Sequence, residues 1–95
     1  MTISNPVIHT KYNGWTNHAT WNVALWMNNN EFLYNTMIAC VEFINPGQNV
    51  YHKFINCMMN CDNPETKDGV RWDDPAVNVD EIVEMMMDCY SEEQA

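Results

Sequence analysis

Cys57 and Cys61 stand four residues apart, and His52 lies five residues before Cys57. Thiolates and imidazoles bind zinc, so this trio is the first chemistry to weigh. Structural zinc usually takes paired short spacings of the C-x-x-C kind, and the chain has none. Cys57 falls instead on an apolar helical stripe, where a free thiol behaves as a small hydrophobe. The expectation is buried thiols and no metal. His18, in Asn17-His18-Ala19-Thr20, could serve as a base, but no Ser or Cys nucleophile stands near it and no triad signature accompanies it. It reads as a polar residue at the opening of a helix. Asp68, Asp73 and Asp74 could ligate a cation, yet 62–74 lacks the EF-hand spacing and its terminal Glu. Gly14, Gly47 and Gly69 are isolated, which excludes a phosphate-cradling loop. With no convergent set of catalytic groups, the chain is expected to be no enzyme and to need no cofactor.

The remaining signal is charge. The 95 residues carry a net charge of −9. Residues 1–61 balance Glu31 and Glu42 against Lys11 and Lys53. Residues 62–95 set eleven acids against Lys67 and Arg71, so the whole excess lies in the last third. There Asp80, Glu84 and Asp88 follow one another at i, i+4 and i+8, with Glu81 and Glu92 alongside. Each such step rises about 6 Å on a helix, close to the roughly 7 Å between phosphates along a DNA strand. A solvated helix face explains such a row in the simplest way. Almost nothing basic is interleaved, however, so the row also suits a basic groove on another protein. Asp73, Asp74, Asp80, Glu81, Glu84 and Asp88 are the candidate partner-binding residues. Direct binding to nucleic acid or to an anionic membrane is not expected, because the four basic residues are few and scattered.

Helices must position that row. Asn13-Gly14 is a turn signal, and Thr16, Asn17 or Thr20 can cap a first helix ending near Asn28–Asn30. Trp21, Ala24, Leu25 and Asn28 share its face by spacing, and Val23, Trp26 and Met27 widen the apolar stripe. Of the three tryptophans here, Trp15 is expected to pin the turn, Trp21 to enter the core and Trp26 to lie on a wider flank. Asn30 caps a second helix reaching Phe43 or Ile44, where Asn45-Pro46-Gly47 stops it. A third helix covers about 49–60, with Val50, Phe54, Cys57, Met58 and Cys61 inside. A polar loop follows, in which Trp72 is expected to fold back as a plug. A short strand at 70–72 has no evident partner. Asn78, with Glu81 three residues later, has capping-box spacing and starts a last helix ending near Tyr90. The predicted fold is all-α: one compact four-helix domain over 12–95, an N-terminal arm over 1–11 and an acidic loop before the last helix.

Length and composition agree with this. A single domain of 95 residues needs large side chains for its core, and four Trp, four Tyr, three Phe and eight Met supply them. Most of the methionines are expected to be core, and the aromatics could extend into a homodimer contact. No apolar run is long enough to cross a bilayer. The N-terminus lacks a signal peptide's basic start and apolar core, so the expectation is a cytoplasmic protein with reduced thiols.

The opening Gly14-Trp15-Thr16-Asn17, with Thr20-Trp21, Val23 and Leu25-Trp26, has the pattern G-W-x-N-x-x-T-W-x-V-x-L-W. The later Asp68-Gly69-Val70-Arg71-Trp72-Asp73-Asp74-Pro75 has the pattern D-G-V-x-W-x-x-P. Together they resemble a group of small uncharacterised proteins of bacteriophages, notably cyanophages, and of bacterial mobile elements. The resemblance brackets residues 12 to about 90. It implies a phage or mobile-element origin and brings no enzymatic activity or site residue with it. Small acidic phage proteins often occupy a host protein in place of its nucleic acid. The functional expectation is therefore an inhibitor of a host nucleic-acid-handling complex. A CRISPR effector is the leading target (an anti-CRISPR role), ahead of a restriction enzyme or RNA polymerase. The alternative is a homo-oligomeric structural or assembly protein.

Overall fold

The computed structural model describes residues 12–94 and contains four helices: α1 His18–Asn29, α2 Glu31–Glu42, α3 Val50–Asn60 and α4 Val79–Gln94. Among the described residues there is no strand, and the architecture is an all-α four-helix domain. The expected arm over 1–11 lies outside the described residues.

Asparagine opens every helix. Asn17, Asn30, Asn49 and Asn78 each accept a backbone N–H from the first turn: Thr20, Leu33, Tyr51 with His52, and Glu81 respectively. This satisfies donors that an uncapped helix start leaves without partners. Asn30 also donates its own N–H to Trp26 O at the end of α1. One residue thus closes α1 and opens α2, and the pair turns without a loop. Before α1, Tyr12 and Trp15 exchange backbone hydrogen bonds across Asn13-Gly14. Both central residues have positive φ, +49° and +90°, as a primed hairpin turn requires.

The core gathers Val23, Ala24 and Met27 of α1 with Leu33, Met37, Cys40 and Val41 of α2. Val50, Tyr51, Phe54 and Met58 of α3 and Ile82 and Met86 of α4 complete it. Four of the eight methionines are fully buried. Trp72 plugs the bundle as expected. Its indole meets Phe54 edge-to-face at 5.3 Å and donates to Asn63 O at 2.7 Å, and the Tyr51 hydroxyl donates to Trp72 O. Around Trp72 the chain makes a single isolated bridge between Glu65 and Arg71, so the suggested strand at 70–72 is a turn.

Three sequence expectations are corrected. Trp21 is half-buried at the edge of the bundle, with its ring against Tyr12 at 4.8 Å and His18 at 5.4 Å. The buried face of α1 is Thr20, Val23, Ala24 and Met27, so it centres on the Val23 and Met27 side of the predicted stripe and leaves Leu25 and Asn28 exposed. Polar partners cause the rotation. Thr20 and Asn22 are buried because the loop before α4 supplies their hydrogen bonds. Cys57 on α3 and Cys61 at its C-cap are exposed rather than buried. Tyr51 takes the inside position because its hydroxyl reaches Trp72 O, which turns Cys57 outward, and Cys61 lies past the last helical turn.

Candidate functional site

Helix α4 is fixed at its start by the start of α1. Asn78 N donates to the Thr20 hydroxyl at 2.8 Å, and that hydroxyl donates to Asn17 Oδ1 at 2.7 Å. Asn17 Nδ2 donates to Ala76 O at 2.7 Å, and Asn78 Nδ2 to Thr16 Oγ1 at 3.2 Å. The expected capping box is only half made. Asn78 accepts from Glu81 N, but the Glu81 carboxylate turns away and accepts from Thr16 N at 3.0 Å.

This arrangement divides the six expected partner-binding residues. Asp80, Glu84 and Asp88 are exposed and stand in one row along α4. Among the described residues the only ion pair is between Arg71 and Asp73, at 2.9 Å, so none of the three has an ion-pair partner there. The other three are engaged. Asp73 accepts from Arg71 Nε and Nη2, which holds its carboxyl below the ordinary range. That pair is exposed and contributes little to stability. Half-buried Asp74 accepts from Ala76 N at 2.8 Å and shapes the turn into α4. Glu81 is spent on Thr16. Asp74 and Glu81 thus help hold the start of α4, and Asp80, Glu84 and Asp88 form the exposed row along it.

The row borders a groove of about 300 Å³ lined by Gly14, Trp15, Glu81, Glu84, Met85, Asp88, Cys89 and Glu92. One indole under several carboxylates favours a cationic side chain over an anionic one. Sequence reasoning gave Trp15 to the turn alone. The spacing of Glu81, Met85, Asp88 and Glu92 on one helix flank was the available signal, and only the fold brings Trp15 beneath it.

A second cluster joins the two sequence motifs. The carboxylate of Asp68 accepts from Asn22 Nδ2 and from Trp26 Nε1, both at 2.8 Å. These bonds, that from Asn22 first, lower the Asp68 pKa below its ordinary 3.8. The Thr66 hydroxyl donates to Asn22 Oδ1 at 2.7 Å and accepts from the backbone N–H of Asp68 and Val70. Gly69 makes the turn with φ +91°. The cluster therefore clasps α1 to the loop before α4. Such satisfied polar networks specify packing, and nothing in this one leaves a reactive group open.

Among the described residues no nucleophile–base arrangement emerges elsewhere. The ring of exposed His18 packs against Tyr12 at 5.1 Å. Burial pushes the Cys40 thiol up to about 12 and also raises that of Cys89, the opposite of an activated thiol. Among the described residues no group of three or more His, Cys, Asp or Glu is placed to hold a metal ion. No helix among them is long and apolar enough to cross a membrane.

A family model described as a family of unknown function (DUF7249) matches residues 8–94, which takes in all four helices and both motifs. The chain belongs to that family. No curated protein and no solved structure matches it. In this DUF7249 chain, Asn17 and Thr20 of the opening hold the start of α4, while Asn22 and Trp26 hold Asp68 of the later segment. The opening motif is thus tied to the segment that runs from Thr66 to Asn78, and the bond between Trp26 and Asp68 joins one motif directly to the other.

Proposed function

We propose that the chain is a non-enzymatic inhibitor of phage or mobile-element origin that occupies a host nucleic-acid-handling complex. A CRISPR effector subunit is the foremost target, ahead of a restriction enzyme or an RNA polymerase. The observation that carries this reading is the exposed row of Asp80, Glu84 and Asp88, without an ion-pair partner among the described residues, on a helix hydrogen-bonded at its start to α1. Carboxylates about 6 Å apart can meet Lys and Arg that would otherwise hold phosphates. Such contact is fast and weakened by salt. On this reading the protein works in the host cytoplasm and binds no nucleic acid itself.

The test is capture from host extract with the wild-type protein and with an Asp80→Asn, Glu84→Gln, Asp88→Asn triple variant, followed by a competition assay on the purified captured protein. The reading requires a nucleic-acid-binding partner that the triple variant fails to retain and that cannot hold its nucleic acid and this chain together. Equal capture by both proteins, or simultaneous binding with nucleic acid and no loss of its activity, would refute it.

One observation favours a homo-oligomeric assembly protein instead. Phe32 and Phe43 are 56% and 66% exposed. Phe32 in the first turn of α2 and Phe43 at its C-cap stand eleven residues apart, near three full helical turns, in the part of the chain with no net charge. Molar mass in solution decides the point: a stable oligomer that Phe32→Ser with Phe43→Ser dissolves supports assembly, and a monomer excludes it.

A further inference from the structure

The acidic row of α4 has an apolar neighbour. On the flank away from Trp15, Val83 and Met87 lie one turn apart, each directly preceding a member of the row, Glu84 and Asp88. Together with Ile44, Pro46 and Val50 they line a groove of about 590 Å³ between α4 and the loop joining α2 to α3. No charged residue lines it. Met87 is 45% exposed there.

From this juxtaposition we infer that the groove seats one amphipathic basic helix of the partner protein. Its apolar side lies against Val83, Met87 and Pro46, and its Lys or Arg residues reach Asp80, Glu84 and Asp88. This rests on the acidic docking proposed above and names the element that docks. Charge complementarity selects the occupant. A neutral helix seated in the groove would bring the neighbouring carboxylates out of water without partners, which is costly. A second copy of this chain brings its own −9, and its few basic residues form no row to meet the ridge. An anionic lipid surface is repelled for the same reason. Geometry matches as well. Asp80, Glu84 and Asp88 rise in steps of about 6 Å, the repeat that Lys or Arg at i, i+4 and i+8 would present on a helix lying alongside. Apolar anchors at i and i+4 on that helix would then face Val83 and Met87, the usual way an amphipathic helix lies in a groove.

The test uses the full chain and three labelled synthetic peptides of about 18 residues, five helical turns. The first is a Leu/Lys peptide with its leucines on one face. The second has the same residues in scrambled order, and the third is a Leu/Gln peptide with the first one's pattern. Binding is followed by fluorescence anisotropy, peptide helicity by circular dichroism, and molar mass by light scattering. Met87→Asn and Pro46→Asn alter opposite walls at exposed positions, and a thermal melt checks that each variant is folded. The inference predicts that the patterned basic peptide turns helical on binding and binds about tenfold or more tightly than the other two. It also predicts that either wall variant weakens the patterned peptide about tenfold while sparing the scrambled one. Equal binding of patterned and scrambled basic peptides, indifferent to both wall variants, overturns the groove. If that binding is still lost with the triple acid variant and with salt, the acidic docking survives on its own. Equal binding of the Leu/Gln peptide, unaffected by the triple variant, overturns both readings, as does no binding of either basic peptide. A dimer that Met87→Asn dissolves would show that a second copy covers the groove, and that also overturns the inference.

Discussion

Replacing Asn22 by Ala tests the clasp that holds the two motifs together. Asn22 is 1% exposed, and its Oδ1 accepts from Thr66, itself 3% exposed. Removing that acceptor leaves a buried hydroxyl without the partner it donates to, at about 1–3 kcal/mol. The second bond, from Asn22 Nδ2 to Asp68, ends on an exposed carboxylate that water can solvate. Its net loss is therefore nearer the ordinary value of about 0.5–1.5 kcal/mol. Together the loss is roughly 2–4 kcal/mol, a large part of a small domain's stability. At about 4–8 °C per kcal/mol for a domain of this size, Tm should fall by roughly 10–30 °C. Thermal melts followed by circular dichroism measure this directly. A companion Thr66→Val variant removes the orphaned hydroxyl, so the double variant should be less destabilised than the sum of the singles. A loss under about 1 kcal/mol for Asn22→Ala, or strict additivity with Thr66→Val, would refute the clasp.

Other consequences follow from burial and charge. Trp72→Ala should cost about 3–5 kcal/mol, because the ring is fully enclosed, whereas Trp21→Ala at the bundle edge should cost clearly less; urea unfolding of both ranks them, and the reverse order would restore Trp21 to the core. Asp68 has a lowered folded pKa, so its contribution is fully present above its unfolded value of about 4 and is lost as pH falls through the folded value. Asp68→Asn should accordingly flatten the fall in urea midpoint below about pH 4, and an unchanged slope would deny the carboxylate this role. Alkylation of the native protein, followed by mass spectrometry, should modify Cys57 and Cys61 first and Cys40 last; early labelling of Cys40 would contradict its burial.

Helices and their boundaries were legible because local chemistry writes them. Asn30 and Asn78 cap the helices they precede, and their capping oxygens fall where spacing placed them. Trp72 as a plug was legible because a lone large aromatic in a polar loop has few other places to go. The orientation of α1 was not. Periodicity ranks apolar residues, and it cannot see that Thr20 and Asn22 would find polar partners some 45 to 60 residues away and turn Trp21 outward. The same limit applies to Cys57, displaced from the core by the Tyr51 hydroxyl bond. For the candidate site, the row of Asp80, Glu84 and Asp88 was fully legible as helix spacing. The engagement of Glu81, Asp74 and Asp73 was only partly so. Asp73–Arg71 and Asp74–Ala76 are local contacts across two residues, whereas Glu81 meets Thr16 from the far end of the chain. The two grooves beside the row required the fold, since each pairs α4 with residues from a distant loop.

The most direct measurement is the affinity of the captured partner for the wild-type protein and for the Asp80→Asn, Glu84→Gln, Asp88→Asn variant across a salt series. Stability should be nearly unchanged in the variant. Relief of three like-charge i,i+4 pairs (Asp80 with Glu84, Glu84 with Asp88 and Asp88 with Glu92), a few tenths of a kcal/mol each, offsets the loss of Asp80 from the first turn of α4. The account predicts wild-type binding that weakens steeply with salt, and variant binding that is weak at low salt and nearly flat. Equal affinity of the two proteins at every salt concentration would contradict it.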